Sequence, residues 1–223
     1  MSDIRNNIVK LPFWNMLTDK QRDYAIQSSS IRKVQKGALV YSRDCACVGL
    51  VYVIKGDLRI YSMSPEGREI TLFHVEAGEP CVLSASCVAG QLDFDTHMTA
   101  ECDSELLIIN APAFARLTEE NIHARCFLYE QAAASFSAVM KTIESILFMR
   151  FDARLASFLI EEYESRGQRE LHITQSGIAE RINSAREVVA RMLKQFSENA
   201  LVKTSRGSII ILDPEGLRAI TER

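Results

Sequence analysis

The stretch ITQSGIAERINSAREVVARML, residues 173–193, meets three requirements of a helix-turn-helix at once. Two short helices that cross closely need a small residue at the contact, and Ala179 supplies it. The turn needs a left-handed backbone, and Asn183 is among the few non-glycine residue types that accept one. The second helix needs one buried stripe. Val189, Met192, Leu193 and Phe196 recur at i, i+3, i+4, i+7, the spacing of a core-facing face.

With that stripe inward, Arg186, Ala190, Arg191 and Lys194 fall on the opposite side, with Glu187 between them. Arginine donates two parallel hydrogen bonds to guanine, and a carboxylate accepts from the cytosine amino group. Arg186, Glu187 and Arg191 are therefore candidate base readers. The plainer reading of the arginines is a solvated face. Ser184-Ala185-Arg186-Glu187 also fits a capping box, with Ser184 as N-cap and Glu187 at N3, and the two roles of Glu187 are compatible. Residues 201–204 and 208–212 then read as a hairpin turning at Arg206-Gly207. A helix-turn-helix followed by such a hairpin is a winged helix, with Lys203 and Arg206 placed for phosphates. The alternative is an ordinary exposed hairpin.

The formal charge of −3 over 223 residues looks wrong for a DNA binder until it is divided. Between residues 174 and 206 six Lys/Arg face three Glu, a net +3, which leaves −6 for the remainder. A basic patch on an acidic body suits selective DNA binding and excludes indiscriminate coating of nucleic acid. The N-terminus MSDIRNNIVK has no apolar signal region and no apolar run approaches membrane-spanning length, so a cytoplasmic protein without membrane contact is expected. Six cysteines in such a chain are read as buried, redox-active or metal-binding rather than as a disulfide framework.

Three regions precede or contain the motif, and together they predict an α+β fold. Residues 1–112 read as a β-roll with a short helix near 18–28. Its strands are expected at 38–42, 50–54, 58–61, 70–73, 97–101 and 106–109, between turns at Lys55-Gly56-Asp57 and Ser64-Pro65-Glu66-Gly67. Residues 113–149 read as one long helix. Ile122, Cys126, Tyr129, Ala133, Phe136, Met140, Ile143 and Leu147 follow steps of 4-3-4-3-4-3-4, a heptad seam that predicts a parallel homodimer. The alternative is a core helix packed on the roll, and Leu128, Val139 and Ile146 form a second apolar flank suited to that packing. Residues 150–223 form the winged-helix unit, after a hinge over 148–151. Its first helix is expected to be capped by Asp152, to bury Leu155, Phe158, Leu159 and Tyr163, and to end at Gly167.

This order of roll, dimer helix and reader resembles the cyclic-AMP receptor and fumarate-nitrate regulator (CRP/FNR) family over nearly the whole chain. The likeness is most specific at residues 173–193, at Val53-Ile54-Lys55-Gly56 and at Gly78-Glu79. It implies a double-stranded β-roll like the cyclic-nucleotide-binding jelly roll, a dimerisation helix and a winged helix-turn-helix. It matches Arg186, Glu187 and Arg191 to the family's base readers and implies a TGTGA-like half-site. It places Thr174 and Gln175 at phosphates, beside Ser184, Lys194, Lys203 and Arg206. The implied partners are palindromic duplex DNA, a second copy of the chain, RNA polymerase and a small-molecule effector.

The expected effector pocket involves Glu79, Cys81, Cys87, His97, Val139 and Met140. Cyclic-AMP binders hold the phosphate with an Arg-Ser pair and the adenine with a Thr-Ser pair. Here Phe94-Asp95-Thr96 and Val139-Met140 stand at those places, which argues against cyclic AMP. No cysteine precedes Cys45, which argues against an N-terminal iron–sulfur cluster. Cys45-Ala46-Cys47 on a strand would point its thiols to opposite faces, a poor geometry for chelation or a disulfide; in a loop that objection lapses. Cys81, Cys87 and Cys102 are candidates for a thiol-redox or metal site, and His74, His97 and more remotely Cys126 for haem. Packing alone is the competing account of each. An enzyme is not expected, since the chain has no Ser/His/Asp order, paired-carboxylate motif, zinc spacing or Gly-rich phosphate loop. The reading is a homodimeric, effector-controlled transcription regulator; a winged helix that binds protein is the rival.

Overall fold

Strand β3 (Gly49–Lys55) is buried on both faces from Gly49 to Val53, and that double burial organises the N-terminal half. In the computed structural model, which describes residues 2–42, 47–83 and 96–221, Leu50 and Tyr52 face one core while Val51 and Val53 face another. The other strands are β1 (Ser29–Val34), β2 (Leu39–Tyr41), β4 (Asp57–Met63), β5 (Glu69–Glu76), β6 (Pro80–Cys81), β7 (His97–Ala100) and β8 (Ser104–Asn110). They form two antiparallel four-stranded sheets, ordered β1-β8-β3-β6 and β2-β7-β4-β5. Between the sheets lie Val51, Val53, Leu58, Ile60, Met98 and Leu106. On the outer face of the first sheet, helices α1 (Ser2–Ile8), α2 (Asp19–Gln27) and α3 (Ala111–Glu120) close a second core around Ile8, Phe13, Phe114 and Leu117. The β-roll is as expected; β1, β6 and α1 are additions.

The sharpest difference from expectation is in the long helix. It does not run unbroken from 113. Asn110 caps α3 by accepting from the Ala113 amide at 2.9 Å, and α3 ends at Asn121, whose backbone is extended (φ −133, ψ 118). The Asn121 side-chain oxygen then accepts from the His123 and Ala124 amides at 2.9 and 3.2 Å, the bonding of a helix N-cap. Its amide nitrogen donates to the Met16 carbonyl and Gln21 Oε1 at 3.0 and 3.2 Å. Helix α4 (Ile122–Phe148) therefore starts at the first seam residue.

The chain divides into two compact units, Met1–Met140 and Lys141–Arg223. The second contains α5 (Phe151–Arg166), β9 (Glu170–Leu171), α6 (Gln175–Arg181), α7 (Arg186–Glu198), β10 (Val202–Ser205), β11 (Ser208–Ile211) and α8 (Pro214–Thr221). Its core joins Leu155, Leu159, Ile178, Val189, Leu193, Phe196 and Leu217. Asp152 does not cap α5: Arg150 is the N-cap residue, and its guanidinium bonds both Asp152 carboxylate oxygens at 3.2 Å. Gly167 ends the helix with φ 62, as expected of a left-handed terminator.

Candidate nucleic-acid interface

Thr174 is the N-cap of α6, its hydroxyl accepting from the Gly177 amide at 3.1 Å. At the other end Asn183 adopts φ 52. The Ser184 amide donates back to the Ala179 carbonyl at 2.8 Å and the Asn183 amide to the Glu180 carbonyl at 3.4 Å. These are the two bonds of a Schellman terminator. They correct the expected capping box. Ser184 belongs to the turn, Ala185 is the N-cap of α7 without a side-chain bond, and Glu187 is the second residue of the helix.

The consequence is an exposed outer face on α7. Val189 and Leu193 are fully buried, Phe196 nearly so, and Met192 half-buried. Arg186, Glu187, Arg191 and Lys194 are all exposed. Among the described residues Arg186, Glu187 and Arg191 have no internal hydrogen bond or ion pair, and Lys194 has only a loose contact with Glu198 at 3.9 Å. Glu187 sits in the first turn of α7, where the helix dipole favours a carboxylate.

The hairpin pairs Val202 with Ile211 and Ser205 with Ser208, and turns at Arg206-Gly207, where Gly207 has φ 80. Lys203 and Arg206 are exposed on it. A groove of about 420 Å³ is lined by Thr174, Gln175, Arg186 and Arg206, so candidate phosphate contacts and a candidate base reader share one surface. In the same unit, Glu162 is 8 % exposed and bonds Arg181 at 3.0 Å and Arg166 at 2.6 Å, an ionic link from α5 to α6 that spacing alone does not reveal.

On α4, all eight seam residues are exposed: Ile122, Cys126, Tyr129, Ala133, Phe136, Met140, Ile143 and Leu147. The opposite side buries Ala124, Phe127 and Leu128. Of the second flank, Leu128 is buried while Val139 and Ile146 are half-buried.

The candidate effector residues among the described ones lie on several different elements. The Glu79 side chain is exposed and accepts from the Glu76 amide at 2.9 Å, closing its own turn. Cys81 is 3 % exposed inside the core between the sheets. His97 alternates with the core residue Met98 and stacks on Tyr61 at 5.1 Å, on the other face of its sheet. Burial and the neighbouring Glu69 carboxylate raise the Tyr61 hydroxyl pKa, against the opposing pull of Arg59. Val139 and Met140 lie on α4; Cys87, Cys45, Phe94 and Asp95 lie outside the described residues. His74 Nδ1 is engaged by Asp57 at 3.0 and 3.1 Å. Cys47 is disulfide-bonded, while Cys81, Cys102 and Cys126 are thiols. Among the described residues no three His, Cys, Asp or Glu side chains form a group able to hold a metal ion.

Residues 31–121 match the cyclic nucleotide-binding domain and residues 153–220 the Crp-like helix-turn-helix domain. A crystal structure from Eubacterium rectale, described as a transcriptional regulator of the Crp/Fnr family, is 38% identical with a TM-score of 0.86, covering 96% of this chain and 99% of that one. This chain belongs to the Crp/Fnr family. The cAMP-activated global transcriptional regulator CRP of Haemophilus influenzae is 23% identical to this regulator, over 79% of this chain and 80% of its own length. FixK2 of Bradyrhizobium japonicum shares the fold with a TM-score of 0.71 at 14% identity, over 86% of this chain and 96% of its own. The Crp/Fnr chain is a DNA-binding transcription regulator. None of its described helices is long and apolar enough to cross a membrane.

Proposed function

We propose that this Crp/Fnr regulator binds palindromic DNA as a homodimer, each copy reading one half-site with Arg186, Glu187 and Arg191. The observation that carries this reading is the outward, internally unbonded face of α7. Thr174, Gln175, Ser184, Lys194, Lys203 and Arg206 contact phosphates, which set register and affinity but not sequence. The seam of α4 supports the dimer: eight side chains at heptad spacing, all but Ala133 large, aromatic or thiol-bearing, stand uncovered in one chain. Two copies related by a twofold axis present two readers to a palindrome. RNA polymerase is the downstream partner.

The roll takes an effector that binds one arrangement of the dimer better than another, since equal affinity would shift nothing. That effector is not cyclic AMP. Val139 and Met140 offer the adenine no hydrogen bond, and the Glu79 carboxylate is spent on its own turn. Titration with cyclic AMP should give no binding heat.

Selection of duplexes from a random-sequence pool tests the reading. The expected result is enrichment of two inverted half-sites; enrichment of a single unpaired site, or of nothing, overturns it. A second reading, thiol-redox control, is favoured by the disulfide at Cys47. Equal affinity of oxidised and reduced protein for the enriched duplex would remove that reading.

A further inference from the structure

Arg154 lies on α5, outside every surface assigned above, and it meets the reader only through the turn. Its Nη2 donates to the Ile182 carbonyl at 2.8 Å and to the Asn183 carbonyl at 3.4 Å. These carbonyls are where α6 ends: Ile182 is the C-cap and Asn183 is the left-handed residue after it. The last carbonyls of a helix have no intrahelical donors and sit at the negative end of its dipole. A guanidinium there is held by hydrogen bonds and by charge, one terminal nitrogen reaching both carbonyls.

Arg154 has no carboxylate partner among the described residues. Its Nε is buried and bonds nothing, and burial holds the guanidinium pKa below the ordinary arginine value. Its position is thus set by the turn carbonyls and by its own helix, not by a counter-ion. The same helix grips the preceding residue of α6 through Glu162 and Arg181 at 3.0 Å. Only Ser184 and Ala185 separate Asn183 from Arg186. A displacement of the turn therefore passes to the first base-reading side chain with almost no chain in which to dissipate.

We infer that Arg154 is a positioning residue for base recognition: by tying the Ile182 and Asn183 carbonyls to α5, it sets where α7 starts and where Arg186 and Glu187 point. The inference rests on the reading of α7 as the base-reading helix.

The test compares wild type, Arg154→Met and Arg154→Lys on duplexes enriched by the wild-type protein and on scrambled duplexes. Arg154→Met keeps an unbranched apolar stem but removes the guanidinium and all its donors. It should lose about tenfold in the ratio of specific to scrambled affinity. Its affinity for scrambled DNA should stay within about twofold of wild type, since the phosphate contacts remain. Amides of residues 182–184 should exchange hydrogen faster, while those of Leu155 and Leu159 should not change. Arg154→Lys restores one donor and should recover part of the ratio. A wild-type ratio in Arg154→Met overturns the inference. So does core exchange that accelerates as much as the turn, because the role would then be general stability. If wild type enriches no sequence, the reading of α7 fails and this inference with it.

Discussion

The Ser184 amide donates to the Ala179 carbonyl across 2.8 Å, so the two helices of the reader are joined by a bond that only a left-handed residue between them permits. Asn183 is that residue, at φ 52. Replacing it by glycine should leave stability within about 0.5 kcal/mol, since both residue types accept the conformation. Asn183→Val should cost about 1–2 kcal/mol, because a β-branched side chain meets its own backbone there. Urea unfolding of the two variants measures the difference; equal stabilities would show that the turn can relax into another geometry.

A second turn of the same kind carries a less suited residue. Ala200 has φ 56, with the Leu201 amide bonded to the Phe196 carbonyl at 2.9 Å and the Ala200 amide to the Ser197 carbonyl at 3.1 Å. Alanine is strained in the left-handed region, and glycine is not. Ala200→Gly should raise stability by about 0.5–1 kcal/mol, the relieved strain exceeding the added freedom of the unfolded chain. Thermal unfolding reads the sign directly, and a lower midpoint would contradict the argument.

Base and phosphate contacts differ in how they fail. Arg186→Ala should cost about 1–3 kcal/mol on the enriched duplex and relax one base-pair position. Lys203→Ala should weaken all duplexes alike and lower the slope of log affinity against log salt by about 1. Binding curves at several salt concentrations separate the two. Should Arg186→Ala weaken every sequence equally, Arg186 is a phosphate contact.

The seam makes its own prediction. Phe136 is 61 % exposed, so charge there disturbs little within one chain. Phe136→Glu places like charges across the heptad interface and should convert a dimer to a monomer in sedimentation, with roll stability unchanged. Affinity for a duplex with two half-sites should fall towards that for one. A dimeric Phe136→Glu protein would put the interface elsewhere.

Legibility in the sequence followed the range of the forces involved. The stripe from Val189 to Phe196 and the turn at Asn183 are local, and residue type and spacing determine both. Ser184 and Glu187 show the limit of that approach. A Ser-x-x-Glu pattern satisfies a capping box on paper, but the Ala179 carbonyl competes for the Ser184 amide and shifts the start of α7 by one residue. The break at Asn121 depends on carbonyl and amide groups about a hundred residues away in the chain, at Met16 and Gln21, which no local pattern contains. Strand β1 buries only Val34 well, so no apolar run marks it. The candidate base readers share one face because helical periodicity dictates it. The described effector candidates follow no single periodicity: strand alternation sends His97 and the core residue Met98 to opposite sides, and Glu79 stands in a turn.

Pairing through the eight uncovered seam residues, as proposed, would also tie this regulator to its own abundance. Pairing by mass action scales with the square of chain concentration when chains are scarce. A cell making few copies would hold monomers, each with one reader and only a fraction of the grip on a two-part site. Doubling production would then more than double the competent form. The heptad face of α4 would thus act as a dosage threshold: expression level alone, at fixed effector, could silence or arm the DNA response.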